Sequence, residues 1–251
     1  MADTKITGLS ANTAPLVTDL LCMVDDPAGT AATQKLAISY LLAMAVTNVV
    51  VQTFGAGSAN YTPTTGMKKV LVILVGGGGG GCSITEASAA GGGGGGGGTA
   101  IKLCTAAQVG ASVAYVVGAA SGANTGGNTS TFAVTSLQAT GGSVGATSGN
   151  STVLGITGLG GAGGVGSGGD LNIAGQAGFR GLIHSSTACI GGAGGASMFG
   201  GGAAESGPNA AGSNGGAYGG GASGGASSNG TDYAGGSGAA GVLYCIEFLQ
   251  V

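Results

Sequence analysis

Two uninterrupted glycine runs, residues 76–81 and 91–98, limit most strongly what this chain can fold into. They are the densest part of a wider bias: 61 of the 251 residues are glycine, where ordinary usage is about 7%. Each glycine inside a helix costs roughly 0.8–1 kcal/mol relative to alanine, so long helices are excluded beyond the first fifth of the chain. A run without side chains must gain its order from backbone groups that find partners. Between residues 158 and 169, glycines fall at 160, 163, 166 and 169, a spacing of three that matches the polyproline II repeat. Two readings stay open at this point: stacked polyglycine II helices bonded through their backbones, or irregular glycine-rich loops. The triplet register stops at 171–174 and fails again around 185–190.

Between the glycine stretches lie short segments rich in valine and isoleucine. The predicted strands are 49–54, 68–75, 100–104, 112–117, 131–137, 171–174 and 241–249, with 55–65 as a turn-rich link. Segment 68–75 is a continuous apolar run, the pattern of a strand buried on both faces. A strong strand near each end of the glycine-rich region predicts that the two ends pair and clamp it into one domain, 47–251. The expected fold class is therefore all-β, a glycine-rich β-sandwich-like domain with polyglycine II segments if the triplet reading holds. Its core would be thin, because small side chains buried at about 25 cal/mol per Å² contribute little each. Oligomerisation is the expected remedy.

Residues 1–46 differ in composition. They hold four of the nine acidic residues and only two glycines, Gly8 and Gly29, and read as a small α+β module. Strands are predicted at 5–9, 19–24 and 33–38, with a turn at Asp25-Asp26-Pro27-Ala28-Gly29. Ser39 is a suitable N-cap for a short apolar helix through residues 40–45. The succession Lys5-Ile6-Thr7-Gly8-Leu9, Asp19-Leu20-Leu21, Val24-Asp25-Asp26-Pro27, Thr33-Gln34-Lys35-Leu36 and Leu41-Leu42-Ala43 resembles the N-terminal module of many phage tail-fibre and other virion proteins. The resemblance implies docking of residues 1–46 onto a particle, commonly as a trimer.

Composition also narrows the chemistry. A formal net charge of −3 with only Lys68 and Lys69 adjacent argues against nucleic acid, whose binding rests on basic side chains neutralising phosphates. The longest apolar stretch, 36–46, is about half of the ~20 residues a spanning helix needs, and the first residues lack the apolar run of a secretory signal. The expectation is a soluble protein made in a cytoplasm, without membrane insertion. The cysteines at 22, 82, 104, 189 and 245 show no Cys-x-x-Cys spacing, and His184 is the single histidine. Buried thiols are expected rather than a metal site. His184 has Cys189 five residues on and no acid nearby to orient it, while Asp170, Glu205, Asp232 and Glu247 are isolated, so neither nucleophilic catalysis nor a glycosidase carboxylate pair is indicated. The Gly-x-Gly-x-x-Gly matches follow from composition, and no glycine precedes the lysine a P-loop requires. No catalytic residue, metal or cofactor is expected.

The body, in which Lys69-Val70-Leu71-Val72-Ile73-Leu74-Val75 runs into a glycine block, resembles the glycine-rich domains that end many phage tail fibres. It is more distantly similar to polyglycine-sandwich adhesins at fibre tips, which read host outer-membrane proteins through loops. That resemblance implies a homotrimeric virion fibre or spike that contacts a host surface protein or glycan. The alternative is a purely structural capsid or tail decoration protein without a receptor, and a remoter one is a free-standing ice-binding polyglycine bundle. If the chain is an adhesin, specificity must come from the few large side chains that interrupt the glycine segments. The candidates are Phe179, Arg180, Phe199, Tyr218 and Tyr233, with Met198 beside them, since aromatic and arginine side chains dominate binding hot spots.

Overall fold

The structure is a computed structural model that describes residues 48–250 apart from 135, 152–154, 156 and 186, together with the backbone of two strands at 20–25 and 32–37. Those two, β1 (Leu20–Asp25) and β2 (Ala32–Ala37), pair antiparallel from Leu20↔Ala37 to Asp25↔Ala32. They match the second and third strands expected in the N-terminal module. The strand expected at 5–9 and the helix at 40–45 lie outside the described residues.

From residue 48 onward the chain builds a β-sandwich. One sheet holds β3 (Asn48–Phe54), β5 (Met67–Val75), β7 (Thr99–Thr105), β13 (Leu171–Ile173) and β17 (Val242–Leu249) in the order β13-β7-β5-β17-β3. The other holds β4 (Gly57–Tyr61), β8 (Val113–Val117), β9 (Ser130–Phe132), β10 (Leu137–Ala139) and β12 (Gly166–Ser167) in the order β12-β10-β9-β8-β4. Strand β17 lies between β3 and β5 and is antiparallel to both, so the two ends of the domain do clamp it. Alternation along β17 points Leu243, Cys245 and Glu247 inward. They meet Val70, Val72 and Leu74 of the same sheet and Tyr61, Tyr115, Val117, Phe132 and Leu137 of the other in a single core. The only helix among the described residues is one turn, α1 (Ala106–Val109), closed by a Thr105–Gln108 capping box.

Three expectations need correction. Segment 55–65 is not merely a link, since β4 crosses it; its small residues carry no strand signal and gain their order by pairing with β8. The predicted strand 131–137 is two strands, β9 and β10, separated by a turn that places Ser136 at φ +57°. Strand β5 is not buried on both faces: Val70, Val72 and Leu74 are fully enclosed while Leu71 and Ile73 are only half-buried. The remaining small strands had no sequence signal: β6 (Ala89–Ala90), β11 (Thr157–Gly158), β14 (Gly181–Ser185), β15 (Ala188–Ile190) and β16 (Ala226–Ser227).

Beyond the sandwich the glycine runs settle the question left open by the sequence. Run 91–98 sends its N–H groups to three neighbours in strict rotation: Gly91, Gly94 and Gly97 to the carbonyls of Gly225, Ala222 and Gly219; Gly92, Gly95 and Gly98 to Ala146, Ser143 and Thr140; Gly93 and Gly96 to Phe179 and Gln176. Its carbonyls accept from three more: Cys82, Gly79 and Gly76 donate to Gly92, Gly95 and Gly98; Gly161 and Gly164 to Gly93 and Gly96; Gly192 and Gly195 to Gly91 and Gly94. A three-residue rotation among partners is the signature of a polyproline II-type helix. Six neighbours surround this one. A Cβ added at Gly92, Gly95 or Gly96 would lie 2.0–2.1 Å from a neighbour's carbonyl oxygen, so each Cα–H is aimed at that oxygen, a weak hydrogen bond of the kind that recurs between closely packed strands.

Glycine spacing thus records how many sides of a helix are covered. The enclosed helix is all glycine. In 159–165, glycines 160 and 163 press on the carbonyls of Gly178 and Gly175, and glycines 161 and 164 on those of Ser143 and Thr140, while every third residue, Leu159, Ala162 and Val165, lies outside this contact. Leu159 and Val165 are exposed. In 175–181 only Gly175, Gly178 and Gly181 press on the central run, and two residues of every three are free to carry side chains.

Candidate functional site

The glycine lattice has a near end, where runs 76–81 and 91–98 join β5 and β7, and a far end, where the connection 82–90 turns back. At the far end a small cluster of Ala90, Ile183, Cys189 and Ala226 is buried under the paired strands β11-β14-β15 and β16-β6. Tyr233 is fixed there by a backbone bridge to Ile84, and its hydroxyl lies 3.5 Å from Asn229 Nδ2. His184, on β14, is exposed.

Phe179 and Arg180 occupy outward positions of segment 175–181. The N–H of Phe179 donates to the Ala193 carbonyl at 2.8 Å and its carbonyl accepts from Gly93 at 3.0 Å, which fixes the backbone and projects both side chains outward. Phe179 is 53% exposed. Together with Gly178, Ala193 and Glu205 these residues line an open groove of about 670 Å³. The groove offers an aromatic face, a guanidinium and a carboxylate. Among the described residues the only ion pair is Lys102–Asp170 at 3.3 Å, so Arg180 and Glu205 are both without an ionic partner.

Phe199 and Tyr218 lie elsewhere. Both rings pack edge-on against Tyr244 of β17, with centroids at 5.6 and 6.5 Å, at the near end beside the sandwich. Met198 is exposed next to Phe199. The five candidates therefore occupy three places: Phe179 with Arg180 in the groove, Phe199 with Tyr218 against Tyr244, and Tyr233 at the far end. Glu205 and Ala193 were missed as groove residues, because sequence spacing does not show which helices are neighbours in a lattice.

Four cysteines, Cys82, Cys104, Cys189 and Cys245, are buried free thiols. Burial, then the nearby Glu247, pushes the Cys245 thiol up to about 12, and burial also raises Cys82 and Cys104. These three are protonated at neutral pH. Among the described residues no group of three or more His, Cys, Asp or Glu side chains is placed to hold a metal ion, and no helix is long and apolar enough to cross a membrane.

Residues 53–246 match the family described as glycine-rich domain. The chain belongs to that family. The match takes in both glycine runs, the groove and most of the sandwich, so the polyglycine lattice lies within the glycine-rich domain rather than appended to it. No curated protein matches the chain.

Proposed function

We propose that the chain is a non-enzymatic structural protein of a phage particle, a short fibre or spike whose glycine-rich domain contributes to attachment to a host receptor. Residues 1–46 dock it to other virion proteins, and three copies assemble. The observation that carries the reading is the groove: a lattice that confines side chains to its outward positions sets an aromatic and a cationic residue next to each other at 179–180, in a groove that Glu205 also lines. Such a surface suits a protein or glycan ligand and needs no net charge. The resemblance of residues 1–46 to fibre attachment modules supplies the particle.

Adsorption of particles carrying Phe179→Ala with Arg180→Ala is expected to slow at least about 10-fold, the scale of losing hot-spot side chains. Incorporation and melting temperature should not change, because both side chains are exposed. Unchanged adsorption would favour the decoration reading. That second reading draws on the packing of Phe199 and Tyr218 against Tyr244, which accounts for two candidate contacts without a ligand. For assembly, light scattering should give three times the chain mass of 22.9 kDa; a monomer mass at micromolar concentration sinks the trimer.

A further inference from the structure

Segments 175–181 and 191–197 are bonded in register, the Gln176 N–H donating to the Ala196 carbonyl and the Phe179 N–H to the Ala193 carbonyl, both at 2.8 Å. Positions 176 and 179 are one three-residue step apart and so stand toward 191–197 in the same way. At the first step a bond is returned, since Gln176 Oε1 accepts from the Ala196 N–H at 3.2 Å. At the second step the residue is phenylalanine, which has no acceptor, and among the described residues the Ala193 N–H meets none. This donor belongs to the groove that Phe179, Arg180 and Glu205 also line.

The chemistry of these groups selects the ligand. The Ala193 N–H and the Arg180 guanidinium only donate, and an ionised Glu205 carboxylate only accepts. One positive and one negative side chain line the groove, so a charged ligand would meet a like charge as well as an opposite one. A ligand suited to all of them is uncharged, carries groups that both donate and accept, and has an apolar face for the exposed Phe179 ring. Adjacent hydroxyls of a pyranose meet the first two requirements, because a hydroxyl is donor and acceptor at once. Its C–H face meets the third, since the face of an aromatic ring is the negative pole of its quadrupole. A polypeptide strand suits the groove less well. To join the lattice it would need a donor at every three-residue layer, and Gln176 already takes the one at Ala196. A single free N–H fits one oxygen of a compact ligand.

On the reading that this groove attaches the particle to its host, we propose that it binds an uncharged saccharide of the host surface. One pyranose lies on Phe179, its oxygens accept from the Ala193 N–H and Arg180, and one of its hydroxyls donates to Glu205. The test compares adsorption of particles to host cells treated with periodate, which cleaves the bond between carbons bearing vicinal hydroxyls, or with protease. Periodate should cut adsorption at least about 10-fold, and protease should leave it unchanged. Adsorption that survives periodate, or that protease abolishes, overturns the saccharide while the groove keeps its role. Parent-rate adsorption of the Phe179→Ala, Arg180→Ala particles to untreated cells removes the attachment role itself, and the saccharide with it. Within the groove, Ala193→Pro deletes the free donor at little backbone cost, because proline holds φ at about −65°, close to the polyproline II value of about −75°. Its melting temperature should match the parent's while adsorption falls about 5-fold; parent-rate adsorption overturns the assigned contact. Glu205→Gln keeps the shape of an exposed side chain and removes its charge. Adsorption should fall several-fold, whereas no change, or the rise that an anionic ligand would give, overturns the uncharged class.

Discussion

Gly95→Ala is expected to keep the chain from folding. Its Cβ would stand 2.1 Å from the carbonyl oxygen of Ala162, 2.5 Å from the carbonyl carbon and 2.9 Å from the nitrogen of Gly163, all backbone atoms that no rotamer change can move. Retreat is blocked too, because Gly95 donates to Ser143 and accepts from Gly79 on its other sides. Ordinary overpacking costs about 1–3 kcal/mol; with a rigid lattice on every side, a loss of at least about 4 kcal/mol is expected. That is a large part of the ~5–15 kcal/mol by which domains are stable. Gly201→Ala is the control, since nothing lies within 4 Å of its added Cβ, and it should stay within about 0.5 kcal/mol of the parent. Soluble yield and the denaturant midpoint measure both. Equal effects of the two substitutions would mean that glycine acts through chain flexibility rather than through close approach.

Glu247→Ala is expected to destabilise the sandwich by about 3 kcal/mol, toward the large end for a single substitution, because it breaks a buried hydrogen-bond network. Glu247 is fully buried on β17, and its Oε1 accepts from the Tyr61 hydroxyl at 2.5 Å, Gln52 Nε2 at 2.9 Å and the Thr64 N–H at 3.1 Å. The carboxylate thereby joins one sheet, through β3 and β17, to the other through β4. Burial and this bond hold the Tyr61 phenol protonated well above its usual range. Truncation takes the acceptor from the buried Tyr61 hydroxyl, which costs about 1–3 kcal/mol, and from the part-buried Thr64 N–H and Gln52 Nε2, of which the latter keeps the Thr62 carbonyl. Glu247→Gln keeps an acceptor oxygen and should cost less, about 1–2 kcal/mol. Thermal unfolding of the three proteins orders them, and a loss under about 1 kcal/mol for Glu247→Ala would show that water replaces the carboxylate.

The sequence disclosed the sandwich wherever a strand buries alternate side chains: β3, β5, β7, β8 and β17 were legible because valine and isoleucine mark a pleated surface. Strand β4 was not, since Gly57, Ser58, Ala59 and Asn60 owe their pairing to β8. The triplet 160, 163, 166 pointed to polyglycine II but left irregular loops as an equal alternative, because period three alone does not reveal where a backbone N–H finds its acceptor. Only the rotation of partners around Gly91 to Gly98 decides that. The groove was half legible. Phe179 and Arg180 stand out as bulky residues in a glycine background, whereas Glu205 reaches them only through lattice neighbours far apart in sequence. Glu247 read as an isolated acid, and its three partners come from residues nearly two hundred positions earlier.

The rotation of partners has an evolutionary corollary. Inserting one or two residues into 159–165 would turn everything beyond the insertion by one or two thirds of a turn, so Ala162 or Val165 would swing onto a side where only a glycine lets the neighbour's carbonyl approach. Only multiples of three keep glycine on the covered sides, and each such step moves the chain about 9.3 Å along its axis, which its neighbours in the lattice must follow together. Length in such a body is quantised: it grows by whole layers added to every helix at once. Only an exposed turn between helices, lying outside the repeat, escapes this rule of three.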